Sequence, residues 1–432
     1  MTEDHRRSDT ARHHSRFGPV GGEKSSAAAP ASSGGRGKRD VSRDDRRVVG
    51  VDAARGYALF GMTAVHTLDL WNDEVGRATL TGLLFSGKSS ALFVTLAGVS
   101  LAFVSGGRAS STGRRMVAAR WSVAARAVLI AIAGLLTGLL DAAADNILVY
   151  YGMFFLLAIP FLGLRIRYLL LSSALFALLG PLLVWWAKTS LPSTDAYEDP
   201  TIVDLLTDPL AVASDVLLTG AYPALAWMTY LCAGLALGRM DLRSLRVQVR
   251  LVLIGAALTC LAWGSSFVAL HVLGGFEAIR RATPWMSSQA IDEIVAVEPD
   301  SPTPTTTLWW LVVPGPHTHT PLALLLCLGT AVVTLGLFLL VPRAVTKLLA
   351  PLIAMGSMTF TLYTAHLVFL SFDAYETAPL LWFWIQATCF ALFAVLWQRT
   401  IGQGPLEKAV STVTRGVRRR VLAHGAARDM SA

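Results

Sequence analysis

Arg55 and His66 are the residues of the first apolar segment whose types and spacing could do chemistry. Eleven residues make three helical turns with roughly 20° of drift, so both side chains would follow one stripe, roughly 16–17 Å apart along the axis. Asp52 and Asp69 extend the stripe by one turn at either end. Charged groups inside a bilayer are costly and mark functional sites. The alternative is that Asp52 and Arg55 flank the membrane and snorkel, while His66 is a hydrogen-bonded core residue.

All five histidines outside the two chain ends fall at or near the predicted outer membrane face: His66, His271, His317, His319 and His366. An imidazole has an unperturbed pKa of about 6.5 and suits proton transfer at neutral pH. The pattern therefore favours an outward-facing proton-transfer site, although outer helix ends also tolerate polar residues without function. The spacing of His317 and His319 does not match a metal site, and we expect no metal.

Three further polar residues sit at the edges of apolar segments. Lys88 opens the second segment on the outer side, where it could contact an anionic or sugar group or simply lie at the interface. Arg126 lies about a turn and a half further into the third segment than Arg120. Arg126 could snorkel to the inner surface or meet an anionic ligand.

The composition indicates the class of protein that carries these residues. Of 432 residues, 53% are hydrophobic and 15% are charged, whereas a soluble chain carries about a quarter charged residues. The net charge of +8 comes from short basic clusters between apolar runs, which argues against a nucleic-acid partner. The four cysteines lie within apolar runs and indicate neither disulfides nor a thiolate metal site. The sequence predicts an all-α polytopic membrane protein, because helices pair every backbone group in lipid.

About ten apolar segments are long enough to cross roughly 30 Å of hydrocarbon. They lie near residues 51–71, 86–106, 121–140, 146–164, 167–187, 220–238, 250–273, 321–341, 349–371 and 379–399. With a cytoplasmic N-terminus, 30 of the 37 Lys and Arg residues fall on the inner side and five on the outer side. This asymmetry follows the positive-inside rule, so we expect both termini in the cytoplasm.

The predicted organisation has three parts. Residues 1–48 form a disordered basic tail and not a signal peptide, and residues 49–404 form the membrane domain. Its long outer loops, 188–219 and 274–320, either cap a site or are simply solvated. Residues 405–432 predict a basic amphipathic helix in the inner headgroup layer, in contact with membrane lipid.

Two glycine pairs at helical spacing allow helices to approach closely. They are Gly134 with Gly138, and Gly234 with Gly238. Such pairs favour helix packing within one subunit. A homodimer remains open.

Several short stretches resemble known membrane acyltransferases. Arg55 and His66, with ten residues between them, are similar to the Arg-x10-His signature of the acyltransferase-3 branch of transmembrane acyl transferases. Over roughly residues 47–410, the sequence resembles YeiB-like bacterial proteins. These are grouped with the heparan-alpha-glucosaminide N-acetyltransferases. The stretches that carry this resemblance are Val51–Gly56, Gly87–Phe93, Leu96–Ser100, Met355–His366 and Gly404–Glu407.

The resemblance implies a multi-pass protein of the bacterial plasma membrane that uses cytosolic acyl-CoA, with acetyl-CoA the expected co-substrate. The acceptor would be a hydroxyl or amine of a cell-envelope glycan or glycolipid on the outer side. Arg55, with Asp52 one turn away, would hold the CoA phosphates at the inner mouth. Arg120 and Arg126 would assist Arg55.

The same resemblance implies roles for the outer residues. His66 would deprotonate the acceptor or carry the acyl group itself, and Asp69 would orient its imidazole. Lys88, His366 and Tyr363 would bind the acceptor or stabilise the oxyanion. The chain departs from the lysosomal heparan enzymes, which have Asn at the position of His66 and a proposed catalytic histidine about eleven residues later. The mechanism of that branch therefore does not transfer to this chain.

Two other classes of function fit the same residues. A proton-coupled transporter or flippase could use paired Arg and Asp with His at membrane depth, although the sequence shows no internal repeat and no Gly- or Pro-broken spans in corresponding positions. A non-catalytic membrane scaffold would need none of these residues.

Overall fold

The protein is described here as a computed structural model over residues 48–140, 142–191, 199–297, 303–342 and 344–429. Apart from Val48, the predicted tail 1–48 lies outside the described residues, and so do the last three residues of the predicted tail 405–432.

The described chain is almost entirely helical. Its α-helices are α1 (Val49–Thr67), α2 (Leu80–Phe85), α3 (Lys88–Val104), α4 (Gly113–Thr137), α5 (Ile147–Ala158), α6 (Ile166–Ser190), α7 (Ile202–Thr207), α8 (Pro209–Ser214), α9 (Ala224–Gly238), α10 (Leu245–Phe267), α11 (Gly275–Ala282), α12 (Ser288–Ala296), α13 (Pro321–Leu340), α14 (Ala350–Gly356), α15 (Thr359–Leu370), α16 (Pro379–Thr400) and α17 (Pro405–Asp429). A two-residue antiparallel pair, β1 (Trp71–Asn72) with β2 (Arg77–Ala78), joins α1 to α2.

Each of the ten apolar segments predicted from the sequence contains a helix. Among the described residues, six helices are long and apolar enough to cross a membrane, or up to eight if each of two bent pairs is one span. Helix α1, with Asp52 and Arg55 on it, is not among the six, and the fourth segment forms a shorter apolar helix over Ile147–Gly163. The membrane class is confirmed, while the count of ten and the cytoplasmic termini stay predictions.

Helix α9 lies at the centre of the bundle. Nearly all of its residues are buried, as expected for a helix that is apolar on every side. It packs against α3, α5 and α6. A side chain at Gly234 would overlap the carbonyl oxygen of Thr95, and one at Gly238 would overlap Ala102. The predicted close approach at this glycine pair is confirmed, and it lies within one subunit.

A second glycine contact joins α1 to α14. A methyl group at Gly56 would overlap the carbonyl oxygen of Leu352, and one at Gly356 would overlap the carbonyl oxygen of Asp52. The two backbones therefore touch at both glycines, which only residues without Cβ allow. This contact fixes the first turns of α1, and with them Arg55, against the C-terminal end of α14.

The segment predicted as one span over 349–371 is broken. Helices α14 and α15 meet at 86°, so the prediction of a single helix there is wrong. The break exposes backbone N–H groups at the start of α15. Phe360 and Thr361 donate theirs to Glu407 Oε1 at 2.7 and 3.1 Å, and Thr361 Oγ1 donates to Glu407 Oε2 at 2.6 Å. A carboxylate at a helix N-terminus both pairs these donors and complements the helix dipole.

A second bend of 54° separates Pro209–Thr219 from α9.

Glu407 itself belongs to α17, which packs along α4. The C-terminal helix is therefore part of the bundle. The predicted tail is helical over Pro405–Asp429, and its place in the inner headgroup layer stays a prediction.

The outer segment 274–320 is folded over its described residues. Helices α11 and α12 share a small apolar core with Trp310 and Val313. After this core the chain runs through a buried loop, Val313–Thr320, into α13. This segment is therefore folded over its described residues, and its role as a cap over a site stays a prediction.

The outer segment 199–207 anchors the start of α5. Asp199 Oδ1 accepts the backbone N–H of Asn146 at 2.7 Å, and the Asn146 amide donates to Gly134 O and Thr137 Oγ1 at 2.9 and 2.8 Å. Burial raises the pKa of Asp199 to about 7, against the opposing effect of the Asn146 N–H. The connection therefore holds a carboxyl group that ionises at an unusually high pH.

We expect Gly356→Ala to destabilise the protein by about 1–3 kcal/mol, the usual range for overpacking, because the new methyl group overlaps a backbone carbonyl. The measurement is thermal or denaturant unfolding in detergent. Gly264→Ala is the control, since nothing lies within 4 Å of a Cβ there. Equal stability of the two variants would show that α1 and α14 are not in backbone contact.

Asp199→Asn should flatten the pH dependence of stability. Because the folded pKa of about 7 exceeds the unfolded value, the native carboxyl binds its proton more tightly, and stability falls as pH rises from about 4 to about 7. Asn cannot ionise, so the decline in Tm between about pH 4 and about pH 7 should shrink by about half or more. Asp208→Asn, which removes an exposed carboxylate that caps α8, should leave the decline unchanged.

Candidate active site

Arg55 is held in place by two neighbours. Its Nη1 donates to Asp52 Oδ1 at 2.9 Å within α1, and its Nη2 donates to Ser100 Oγ of α3 at 2.5 Å. The predicted pairing of Asp52 with Arg55 across one helical turn is therefore present. These contacts direct the guanidinium away from lipid and into the space between α1 and α3.

Arg126 of α4 faces the same space as Arg55. Its guanidinium carbon lies 5.7 Å from the centre of the Phe155 ring. Its Nε is buried and has no hydrogen-bond partner among the described residues. A buried donor without an acceptor is uncommon in folded proteins and calls for a bound group.

The two arginines line a cavity of about 230 Å³, which we call the bundle cavity. It is bounded by α1, α3, α4 and α5 on one side and by the α14–α15 break and α17 on the other. Its polar lining residues are Arg55, Ser100, Arg126, Tyr151, Ser357, Thr359, Tyr363 and Glu407. The Tyr151 hydroxyl is a second buried group without a hydrogen-bond partner in the described chain.

Tyr363 forms one wall of the bundle cavity. Its hydroxyl donates to the backbone oxygen of Asp145 at 3.3 Å and accepts the N–H of Ile147 at 3.3 Å. Tyr363 thus ties α15 to the start of α5. The hydroxyl predicted to bind an acceptor is occupied by backbone groups in this structure.

His66 and His366 form a direct pair. His66 Nδ1 lies 3.0 Å from His366 Nε2, and their rings are nearly parallel with centroids 5.2 Å apart. On its other side, His366 Nδ1 lies 3.0 Å from Gln386 Oε1 of α16. With Oε1 as the acceptor, Nδ1 of His366 carries its proton and Nε2 accepts the Nδ1–H of His66. The chain of contacts then leaves Nε2 of His66 as the free basic nitrogen.

The predicted role of Asp69 is not what the structure shows. Helix α1 ends at Thr67, so the helical spacing that aligned Asp69 with His66 does not extend to residue 69. The Asp69 side chain is exposed, and its backbone oxygen accepts a hydrogen bond from Thr79 Oγ1. The partner of His66 is His366, which the sequence placed at the same depth but assigned to the acceptor.

Among the described residues, the bundle cavity that holds Arg55 does not reach His66. His66 is not among the residues that line the bundle cavity, which reaches Tyr363. The ring centroids of Tyr363 and His366 are 6.4 Å apart, one helical turn along α15. The cavity and the histidine pair are therefore neighbours separated by the Tyr363 wall.

Arg120 does not join Arg55 and Arg126. Six residues along α4 rotate the side chain by about 240°, which leaves Arg120 roughly 120° around the helix from Arg126. Arg120 is exposed and lines a different cavity. The prediction of one basic cluster from these residues is therefore corrected.

Four of the five histidines that were predicted to lie at the outer face converge. His317 Nε2 lies 3.4 Å from Ser90 Oγ of α3, close enough to His66 for their charges to interact. His319 Nδ1 accepts the indole N–H of Trp227 at 3.3 Å. Both His317 and His319 adopt positive φ angles, 58° and 56°, a strained conformation that often marks functional loops.

Burial lowers the pKa of His317 to about 4, so this imidazole is neutral at pH 7 and suits hydrogen bonding more than charge pairing. His271 lies apart from the other four histidines, exposed and against the ring of Phe267 at 4.9 Å. Among the described residues, no group of three His, Cys, Asp or Glu side chains has the geometry to hold a metal ion.

Lys88 is the first residue of α3, and its Nζ lies 3.5 Å from Gly82 O. It is not among the lining residues of the bundle cavity. The structure therefore places Lys88 near the outer histidine group and away from the two arginines.

Three residues of the site are not predicted by the sequence: Ser100, Gln386 and Glu407. Glu407 lies within one of the family-like stretches, but its spacing indicates only a tail helix. In the middle of the apolar segment that forms α16, Gln386 is the one strongly polar side chain. A lone polar residue in such a segment is a signal that could have identified it.

The sequence of this chain matches a known protein family. A sequence model described as the catalytic domain of heparan-alpha-glucosaminide N-acetyltransferase matches residues 47–265, about half of the chain. No curated protein matches. The matched range contains α1 with Arg55 and His66, and α4 with Arg126. The chain therefore belongs to the heparan-alpha-glucosaminide N-acetyltransferase-like family of membrane acetyltransferases.

Proposed function

We propose that the protein transfers an acetyl group from cytosolic acetyl-CoA to a hydroxyl or amine of a cell-envelope glycan or glycolipid on the outer side of the bacterial plasma membrane. Family membership supports the acetyltransferase class. The observation that carries the proposal for this chain is the bundle cavity, with Arg55 and Arg126 on its wall and the buried, unpartnered Arg126 Nε and Tyr151 hydroxyl facing it.

The two guanidinium groups provide the donor site in this proposal. Arg55 is already oriented by Asp52 and Ser100, so little side-chain ordering is needed when an anion binds. Arg126 has an unused buried donor. Together they contact the phosphate-bearing part of the donor, since guanidinium groups match phosphate geometry.

The apolar part of the cavity wall suits the acyl-bearing arm. Phe93, Ala97 and Leu101 of α3 face Ile130 and Leu148 across it. The arm extends between them towards Tyr363, and the Tyr363 side chain moves aside so that the thioester carbonyl reaches the acceptor bound at the histidine pair. The open hydroxyl of Tyr151 then donates a hydrogen bond to an oxygen of the arm or of the thioester.

The histidine pair supplies the base. His66 Nε2 takes the proton from the acceptor hydroxyl or amine as the acceptor attacks the thioester carbonyl, and the carbon–sulfur bond breaks as the tetrahedral intermediate collapses. The leaving CoA thiolate takes the proton from His66, so that the enzyme returns to its starting state. His366 accepts the Nδ1–H of His66 throughout and stabilises the imidazolium, and Gln386 positions His366. Attack by His66 itself, with an acyl-histidine intermediate, is the alternative order of steps.

A bent span near a cavity is also a feature of transporters, whose sites lie where helices are discontinuous. The break between α14 and α15 by itself would suit either class. Membership in an acetyltransferase family favours group transfer over transport.

Arg126→Gln should raise the Kd for acetyl-CoA by about tenfold or more, equivalent to about 1.4 kcal/mol or more, because one of two cationic contacts is lost. Isothermal titration or thermal-shift titration of the purified protein measures this value. Arg246→Gln removes an exposed inner-side charge that lines neither cavity and is the control. An unchanged Kd in Arg126→Gln would place the donor elsewhere.

His66→Ala should lower kcat for acetyl transfer by about 10²–10⁴-fold, the usual contribution of a general base, with acetyl-CoA binding unchanged. His271→Ala, at the histidine that stands apart, should retain the normal rate. Gln386→Glu places a carboxylate beside His366, which favours the charged imidazole pair and moves the acidic limb of the pH–rate profile to higher pH. Normal transfer by His66→Ala would refute this mechanism.

A further inference from the structure

A second cavity opens between the start of α4, the start of α6 and the turn that precedes α4. Its volume is about 910 Å³. We call it the arginine cavity, because five of its lining residues are arginines: Arg108, Arg120, Arg165, Arg167 and Arg239. No acidic residue lines it in the described chain. Among the described residues, the one carboxylate that forms an ion pair with these arginines is that of Asp241, whose Oδ2 lies 3.0 Å from Nη1 of the exposed Arg108.

The arginine cavity is separate from the bundle cavity. The two share no lining residue. They lie on different faces of α4, since Arg120 and Arg126 are roughly 120° apart around the helix and roughly 9 Å apart along it. Its cations are therefore not explained by the site already described.

Two helix N-termini open into the arginine cavity. Both α4 and α6 are 25 residues long, and neither has a side-chain hydrogen bond at its N-cap, which is Thr112 in α4 and Arg165 in α6. The first backbone N–H groups of a helix lack partners within the helix, and the dipole makes this end attractive to anions. Such ends bind phosphate when other donors converge on them.

Arg239 provides the buried part of the wall. It is 5% exposed, and its Nη1 and Nη2 donate to the backbone oxygens of Gly107 and Leu162 and to Ser105 Oγ. Its Nε is buried and has no partner in the described chain. A buried, fixed guanidinium with an unused donor is a preformed contact for an anion, because most buried donors are otherwise paired.

The rim of the cavity consists of exposed arginines. The side chains of two of them, Arg120 and Arg165, make no hydrogen bond or ion pair with the described residues. Met116, Val117 and Ile166 add an apolar strip beside them. Cations above an apolar strip suit a ligand that carries phosphate next to an apolar group, as well as a small phosphate anion.

We infer that the arginine cavity binds a ligand with at least two phosphate charges, either the headgroup of an anionic lipid of the inner leaflet or a soluble diphosphate. The site needs no acyl transfer and stands whether or not the proposed function is correct. Arg239 and the two helix ends hold one phosphate at the base, and the rim arginines hold the second.

The test uses the full-length protein purified in a neutral detergent. Its thermal unfolding is titrated with cardiolipin, which carries two phosphates, with phosphatidylcholine, and with inorganic pyrophosphate. We expect cardiolipin or pyrophosphate to raise Tm in a saturable way and phosphatidylcholine to leave it unchanged. Competition between the two active probes identifies one shared site.

The double variant Arg120→Gln/Arg165→Gln should raise the apparent Kd of the active probe by about tenfold or more. Both residues are exposed, so the variant should fold, and its Tm without ligand verifies this. The matched control Arg246→Gln/Arg250→Gln removes two exposed inner-side charges outside the cavity and should bind normally. Saturation by cardiolipin alone assigns a lipid, and saturation by pyrophosphate assigns a soluble ligand.

Two outcomes overturn the inference. One is the absence of a Tm shift with either phosphate probe. The other is an equal loss of affinity in both double variants, which would attribute binding to the general positive charge of the inner surface. Acetyl-CoA binding by Arg126→Gln is measured separately, so failure here leaves the proposed function untouched.

Discussion

The carboxylate of Glu407 on the open N-terminus of α15 is the contact on which the site depends. Within a membrane every backbone N–H needs a partner, so a span bent by 86° between α14 and α15 is tolerable only if the freed donors are paired. Glu407 pairs those of Phe360 and Thr361. The same break supplies Gly356, Thr359 and Phe360 to the bundle cavity. The cavity exists because the helix is interrupted there, and the interruption persists because α17 caps it.

The charges around the bundle cavity are balanced in a way that explains how two arginines remain inside the bundle. Arg55 is paired with Asp52, and Glu407 lines the same cavity as Arg126, from its opposite side. Opposite charges reduce the large cost of burying each one alone. Pairing is incomplete, however, because Arg126 keeps an unused donor. The two carboxylates thus allow the protein to fold without a ligand, while the unused donor of Arg126 can still bind an anion.

Sequence reasoning reached the class of protein, the Asp52–Arg55 pair and the common depth of His66 and His366, because composition and helical spacing determine these features locally. Residues whose positions depend on where a helix ends, or on contacts between distant parts of the chain, could not be predicted. Asp69 was assigned to His66 because nothing in the sequence marks the end of α1 at Thr67. Glu407 contacts residues 46 and 47 positions away, and no spacing rule links such residues. Lys88 is placed at the predicted helix start, and its predicted role stays a prediction.

The family match ends at residue 265, yet the walls of the bundle cavity come from both ends of the chain. Arg55 and Arg126 are made early, whereas Tyr363 and Glu407 follow 237 and 281 residues after Arg126. During synthesis, the first helices therefore enter the membrane before their later neighbours exist, with Asp52 as the one carboxylate bonded to Arg55. The ligand space closes last, when the final helix docks, so the order of translation separates insertion of the scaffold from completion of the pocket.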